Sequence, residues 1–244
     1  MFLFFGGFNL YLQMFLLLAL APAIFLMVYV YRLDPLDKEP AGLLWSLILR
    51  GVLAGLLAGA LEGIGMQMLG LFSGLDPRSV QFVVVSDFLV VAAVEEGCKY
   101  WLMGKRTWND PAFNCRYDGV VYAVFTSLGF AGMENVMYGL TYGSSVLFAR
   151  AFMAIPAHMG FAVMFGLLYG EAKYLRSRGH KIGAGICIIL GYLASVLLHG
   201  LYDSAAMVGS MASDGIFLLV VVVIYLVVFG LARWGATHDR RFAY

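Results

Sequence analysis

The sequence predicts an all-α fold, a polytopic transmembrane bundle of about seven spans, and three observations carry that prediction. Of the 244 residues, 62% are hydrophobic and only 13% are charged, where soluble domains carry nearer a quarter. Apolar runs of roughly twenty residues or more recur along the chain, each long enough to cross about 30 Å of hydrocarbon at about 1.5 Å per residue. The Lys and Arg residues gather in alternate loops, as they do when those loops share the cytoplasmic side.

The runs fall at 10–31, 42–72, 80–104, 118–141, 146–173, 183–209 and 215–234. The first has no basic lead and no small-residue cleavage site, so it reads as a retained span. Short connections rich in Pro, Gly, Asp and Asn join the rest: RLDPLDKEP, SGLDPRS, KRTWNDPAFNCRY, TYGSS, RSRGHK and SMASD. They leave no room for an extramembrane domain, and no fixed-period repeat is visible, so residues 1–244 read as a single integral membrane domain. Twelve Lys and Arg residues lie in the first, third and fifth loops and at the C-terminus, whereas the opposite side holds Arg78 alone. The N-terminus is therefore expected outside and the C-terminus inside.

A net charge of +1 without long like-charged blocks gives no nucleic-acid footprint. The expected partners are lipid and other membrane chains. Cys98, Cys115 and Cys187 are odd in number and widely spaced, so they read as packing thiols rather than a disulfide framework. Trp45, Trp101, Trp108 and Trp234 fall near span ends, where interfacial anchoring is their ordinary job.

Charged groups near a bilayer centre cost about 2.5–3.5 kcal/mol each on insertion scales, so each one there is a functional candidate. Span two carries Arg50 and Glu62; span three Asp87, Glu95, Glu96 and Lys99; span four Glu134 beside Asn135; span five Arg150 and His158; span six His199 and Asp203. Measured from the span midpoints, Glu95, Glu96, Glu134, His158 and His199 lie within about 8 Å of one depth. Four helices thus bring acids and imidazoles to one layer, the pattern of a shared polar cavity. Arg50, Glu62, Asp87 and Arg150 read as structural pairs or interface residues.

Spacing sharpens the set. Glu95 and Lys99 form an i,i+4 pair with the acid N-terminal, so Lys99 is the charge partner that can keep a neighbouring carboxylate ionised, while Glu96 is turned about 100° away. His199 and Asp203 are also i,i+4, a base with an orienting carboxylate. Such a set supports water activation: a carboxylate takes a proton from water, and His158, His199 and Asn135 stabilise the oxyanion formed on an attacked amide. His-Glu-x-x-His, Gly-x-Ser-x-Gly and Gly-x-Gly-Asp are all missing. Glu96, Glu134, His158 and His199 could alternatively hold Zn²⁺. A proton-coupled transporter using the same acids as a relay, or a non-catalytic scaffold, is also compatible with the layer.

At these residues the chain resembles the PrsW family of intramembrane glutamic proteases, relatives of the CAAX-processing prenyl-protein endopeptidases. The motifs are EEGCK at 95–99, FAGMEN at 130–135, a helix carrying His158, and HGLYD at 199–203, with further likeness in RLDPLDKEP and RYDGVVYAVFTSLGFAGMEN. The resemblance implies a bacterial, multi-pass cell-membrane protease. Its substrate would be a single-span protein, an anti-sigma factor clipped on its outer side to begin a stress response. It makes Glu95, Glu96 and His158 the catalytic core and implies no cofactor. The prenyl-protease relatives have His where this chain has Glu134 and Asn where it has Asp203, which loosens those two roles.

Overall fold

The computed structural model describes the backbone of residues 2–242 and the side chains of residues 10–242. Among these residues all regular structure is helical apart from one isolated antiparallel bridge between Cys115 and Arg241. In order, α1 spans Phe2–Leu33, α2 Ala41–Phe72, α3 Val80–Ser86, α4 Ala93–Thr107 and α5 Asp118–Tyr142. Then come α6 Ser145–Phe152, α7 Ala154–Ser177, α8 Lys181–Met207, α9 Met211–Leu226 and α10 Ala232–Thr237. π-helical turns at Asp87–Ala92 and Val227–Leu231 join α3 to α4 and α9 to α10.

Among the described residues six helical segments are long and apolar enough to cross a membrane, and they match six of the seven expected spans. The seventh, 80–107, is helical throughout but is interrupted by its π-turn and carries Asp87, Glu95, Glu96 and Lys99. The span expected at 146–173 divides into α6 and α7 at Met153, whose φ of −115° and ψ of −67° depart from helical values. Pro156 explains the break. Lacking an N–H, it cannot bond the carbonyl four residues back, and that group, Phe152 O, accepts the Tyr225 hydroxyl at 2.6 Å.

The central helix is α5, buried almost continuously from Asp118 to Gly132. Small residues let its neighbours close on it. Where α5 crosses α7, a Cβ on Gly119 would stand 2.6 Å from Gly166 O; where it crosses α2, one on Gly129 would stand 2.5 Å from Ile48 O. Gly143, at φ 87°, turns the chain out of α5 and into α6. The close crossings bring α4, α5, α7 and α8 to one polar layer, with α6 beside it.

Candidate active site

The layer is built around Lys99, which is fully buried in α4. Its ammonium stands 2.5 Å from Glu96 Oε1, 3.4 Å from Glu95 Oε2 and 3.3 Å from His158 Nδ1, with the Phe130 ring centroid at 4.3 Å. A buried ammonium is tolerable only when so surrounded. The expected i,i+4 partnership with Glu95 exists, but the i,i+3 contact with Glu96 is the shorter. Glu96 does not turn away: the same Oε1 also receives His199 Nδ1 at 2.8 Å. A residue three before Lys99 shares its helix face as well as one four before does, and the imidazole from α8 decides between them.

Both imidazoles are oriented by their partners. An ammonium can only donate, so His158 accepts from Lys99 at Nδ1 and carries its proton on Nε2, which donates to Glu134 Oε2 at 3.0 Å. His199 faces a carboxylate at each nitrogen: Glu96 Oε1 at Nδ1, and Asp203 Oδ2 at 3.1 Å from Nε2. That geometry suits an imidazolium donating twice. Phe161 stacks on His199 with centroids 4.7 Å apart, and the two imidazoles meet edge to face at 5.4 Å.

Arg150 of α6 completes the set, although its sequence position marks it only as a structural residue. Its Nη2 donates to Glu134 Oε2 and its Nε to Asn135 Oδ1, both at 2.8 Å. Asn135 spends its other end on Ala19 O at 2.9 Å, in the turn of α1 before Pro22. Both ends of that amide are committed, and Asn135 does not line the cavity.

A cavity of about 610 Å³ opens beside the layer, and Glu95, Glu134, His158, His199 and Asp203 all line it. Glu96 and Lys99 stand behind that wall, fully buried. The two adjacent glutamates therefore differ in role: Glu95 reaches the cavity, and Glu96 fixes Lys99 and His199.

A family model described as "PrsW family intramembrane metalloprotease" matches residues 39–231. The chain belongs to the PrsW family of intramembrane proteases. It is 30% identical over 184 residues to Protease PrsW of Geobacillus kaustophilus, covering 75% of each chain. It is 30% identical over 214 residues to Protease PrsW of Clostridioides difficile, covering 86% of this chain and 85% of that one. With Protease PrsW of Bacillus subtilis it shares 27% identity over 217 residues, 88% of this chain and 91% of the relative. No solved structure matches it significantly. The four membrane-embedded motifs all fall within the matched region.

The family description raises the question of a metal, and the donor chemistry fits one. Among the described residues, Glu95, Glu96 and His158 each offer a ligand atom within 4.8 Å of the others. Carboxylates and imidazole are a zinc-type donor set, and Glu96 Oε2 is buried with no hydrogen-bond partner. This trio differs from the expected set of Glu96, Glu134, His158 and His199, because Glu134 lies on the far nitrogen of His158. The Lys99 ammonium stands at the same focus, so ammonium and metal compete for it.

Proposed function

We propose that this chain is an endopeptidase that cleaves a single-span membrane protein with water activated by Glu95. The observation that carries the reading is the convergence of Glu95, His158 and His199 on one cavity wall, with the charge of Glu96 and Lys99 locked behind it. Glu95 takes a proton from a cavity water as that water attacks the amide carbonyl carbon. The charge developing on the carbonyl oxygen is met by the positive charge of the His199 imidazolium and by the His158 Nε2 proton, which moves from Glu134 to that oxygen as substrate binds. Protonated Glu95 then gives its proton to the leaving nitrogen as the C–N bond breaks. Asp203 orients His199, and Glu134 orients His158.

A second reading is favoured by the orphaned Glu96 Oε2. A divalent metal ion would be held by Glu95, Glu96 and His158, and it would supply Lewis-acid activation of water. Under this reading His199 still meets the developing oxyanion, and Asp203 and Glu134 keep their positioning tasks.

Loop charges support an outside N-terminus and an inside C-terminus. The cavity lies among the C-terminal parts of α2, α5 and α8, so cleavage is proposed on the outer side. A helix hides its carbonyls in its own hydrogen bonds, so the cleaved bond belongs to an unwound stretch of substrate. Family membership supports a bacterial cell-membrane setting and a membrane-anchored anti-sigma factor as the substrate.

Co-expression with a tagged single-span anti-sigma factor tests the reading. Glu95→Gln should lower cleavage by roughly 10²- to 10⁴-fold at equal protein level, and undiminished cleavage would sink the assignment. A strong chelator should leave purified enzyme active under the first reading; loss of activity restored by zinc would establish the second.

A further inference from the structure

A second cavity, of about 570 Å³, lies between α4, α7 and α8 and shares no lining residue with the catalytic one. Each helix lines it with side chains four residues apart: Gly97, Trp101 and Lys105 on α4, Phe165 and Tyr169 on α7, and Ile188 and Tyr192 on α8. Residues so spaced stack along one helix face, so the cavity is a slot running with the helices. Glycine deepens it at two levels. A Cβ on Gly97 would have only Tyr192 within 4 Å, and one on Gly104 only Tyr169.

The wall is apolar because its hydroxyls are spent inside the protein. Tyr100 donates to Ser195 Oγ at 3.3 Å, Tyr192 to Ala93 O at 2.8 Å, and Tyr169 pairs with Thr107 Oγ1 at 2.9 Å. Only one end of the slot is polar. Lys105 and Asn109 line it there with Trp108, and neither of the two polar side chains makes a hydrogen bond or ion pair among the described residues. No Asp or Glu lines the slot, and Asp110 is held by Arg106. Lys173, which donates to Trp108 O at 2.5 Å, adds a second positive charge beside that end.

Length selects the occupant. From Gly97 to Trp108 the helix rises about 16 Å, and the hydrocarbon of one leaflet is about 15 Å deep, half of the bilayer core. A partner's transmembrane helix would run through both leaflets and would set apolar side chains against Lys105. A lipid ends where the slot ends, with its chain among the rings and its charge at the ammonium. Loop charges put that end on the cytoplasmic side. We propose that the slot binds one acidic phospholipid of the inner leaflet, with its anionic phosphodiester headgroup on Lys105 and Asn109 and one acyl chain along Trp101, Phe165 and Tyr192. Basic pockets between membrane helices on this side recognise acidic lipids in the same way. The seated chain covers the flank of α4, where Trp101 is 56% exposed, on the helix that carries Glu95, Glu96 and Lys99.

Native mass spectrometry of the full-length protein in neutral detergent tests this. Dioleoylphosphatidylglycerol and dioleoylphosphatidylcholine are titrated separately; they share chains and phosphate, but choline cancels the headgroup charge. The first phosphatidylglycerol should bind about fivefold tighter than the first phosphatidylcholine. Lys105→Gln should erase that preference, and Gly104→Leu, which fills the slot, should weaken the binding of both lipids. Arg233→Gln, which removes an exposed cation of α10, should leave the preference in place. Equal affinity for the two lipids on the unaltered protein, a preference that survives Lys105→Gln, or one lost as readily in Arg233→Gln, overturns the headgroup site. Undiminished binding in Gly104→Leu overturns the slot. No cleavage is read, so the protease reading can fail without touching either outcome.

Discussion

The chain buries acids in two places, and it treats them in opposite ways. Around α4 the carboxylates at the centre of the polar layer face cations: the buried Glu95 and Glu96 face Lys99, and the partly buried Glu134 faces Arg150. Near the other end of α5 the acids meet dipoles instead. Glu39 accepts from the Tyr122 hydroxyl at 2.9 Å, and Asp118 Oδ2 accepts from the backbone N–H groups of Asn114 at 2.9 Å and Cys115 at 2.6 Å. The nearby Lys38 ammonium is spent on the carbonyls of Tyr31 and Asp34, each at 2.6 Å, at the C-terminal end of α1. The first arrangement holds full charges in place; the second needs only neutral hydrogen bonds. Fixed charge beside a cavity is suited to chemistry, whereas dipole-satisfied acids tie the first loop to α5.

Removing the cation should therefore hurt far more than removing a dipole. Lys99→Met leaves the buried Glu95 and Glu96 with the His199 imidazolium as their one shared cation and should cost about 3–5 kcal/mol of stability. Tyr122→Phe, which deletes one neutral hydrogen bond, should cost about 1 kcal/mol. Adding Glu96→Gln to Lys99→Met should recover part of the larger loss. Denaturation in detergent micelles measures all three, and equal losses for Lys99→Met and Tyr122→Phe would erase the distinction.

Arg150 sharpens the contrast within the catalytic end, because it acts through Glu134 rather than on substrate. Arg150→Gln should lower kcat by roughly 10- to 100-fold, as loss of an orienting partner commonly does, with KM little changed. Arg150→Lys should rescue only part, since it keeps the charge but not both hydrogen bonds. The side chain is partly exposed, so stability should fall by no more than about 1 kcal/mol. A purely structural residue would show the reverse: lost stability, and an unchanged kcat in the protein that remains folded.

Much of this architecture is legible in the sequence because hydrocarbon length and loop charge are local signals. Each of the six apolar spans can be read from its own residues, and EEGCK and HGLYD announce their pairs by spacing. The rest depends on distant partners. The break between α6 and α7 has a visible cause in Pro156, but the hydroxyl that stabilises the freed carbonyl comes from Tyr225, 73 residues from Phe152. Asn135 has the chemistry of an oxyanion donor, yet α1 supplies Ala19 O and α6 supplies Arg150 to occupy it. The division between Glu95 and Glu96 depends on α8, which brings His199 to Glu96 and leaves Glu95 on the cavity.

The dipole-satisfied end makes the finest prediction, and it concerns pH. Burial is the main cause that pushes the Glu39 carboxyl up from 4.5 to about 7, while the Tyr122 hydrogen bond opposes the shift. A folded state that holds its proton more tightly than the unfolded chain loses stability as pH rises between the two values. The contribution of Glu39 is therefore most favourable below about 4.5, declines through the window, and levels off above about 7. Glu39→Gln keeps an acceptor for Tyr122 and removes the titration. Its stability relative to the unaltered protein should improve steadily across that window and stay constant on either side. Denaturation midpoints at about pH 4, 5.5 and 7.5 would reveal the slope. A difference that stays flat with pH would mean that Glu39 is ionised in the folded protein as readily as in the unfolded chain, and both ends of α5 would then hold their acids as charges.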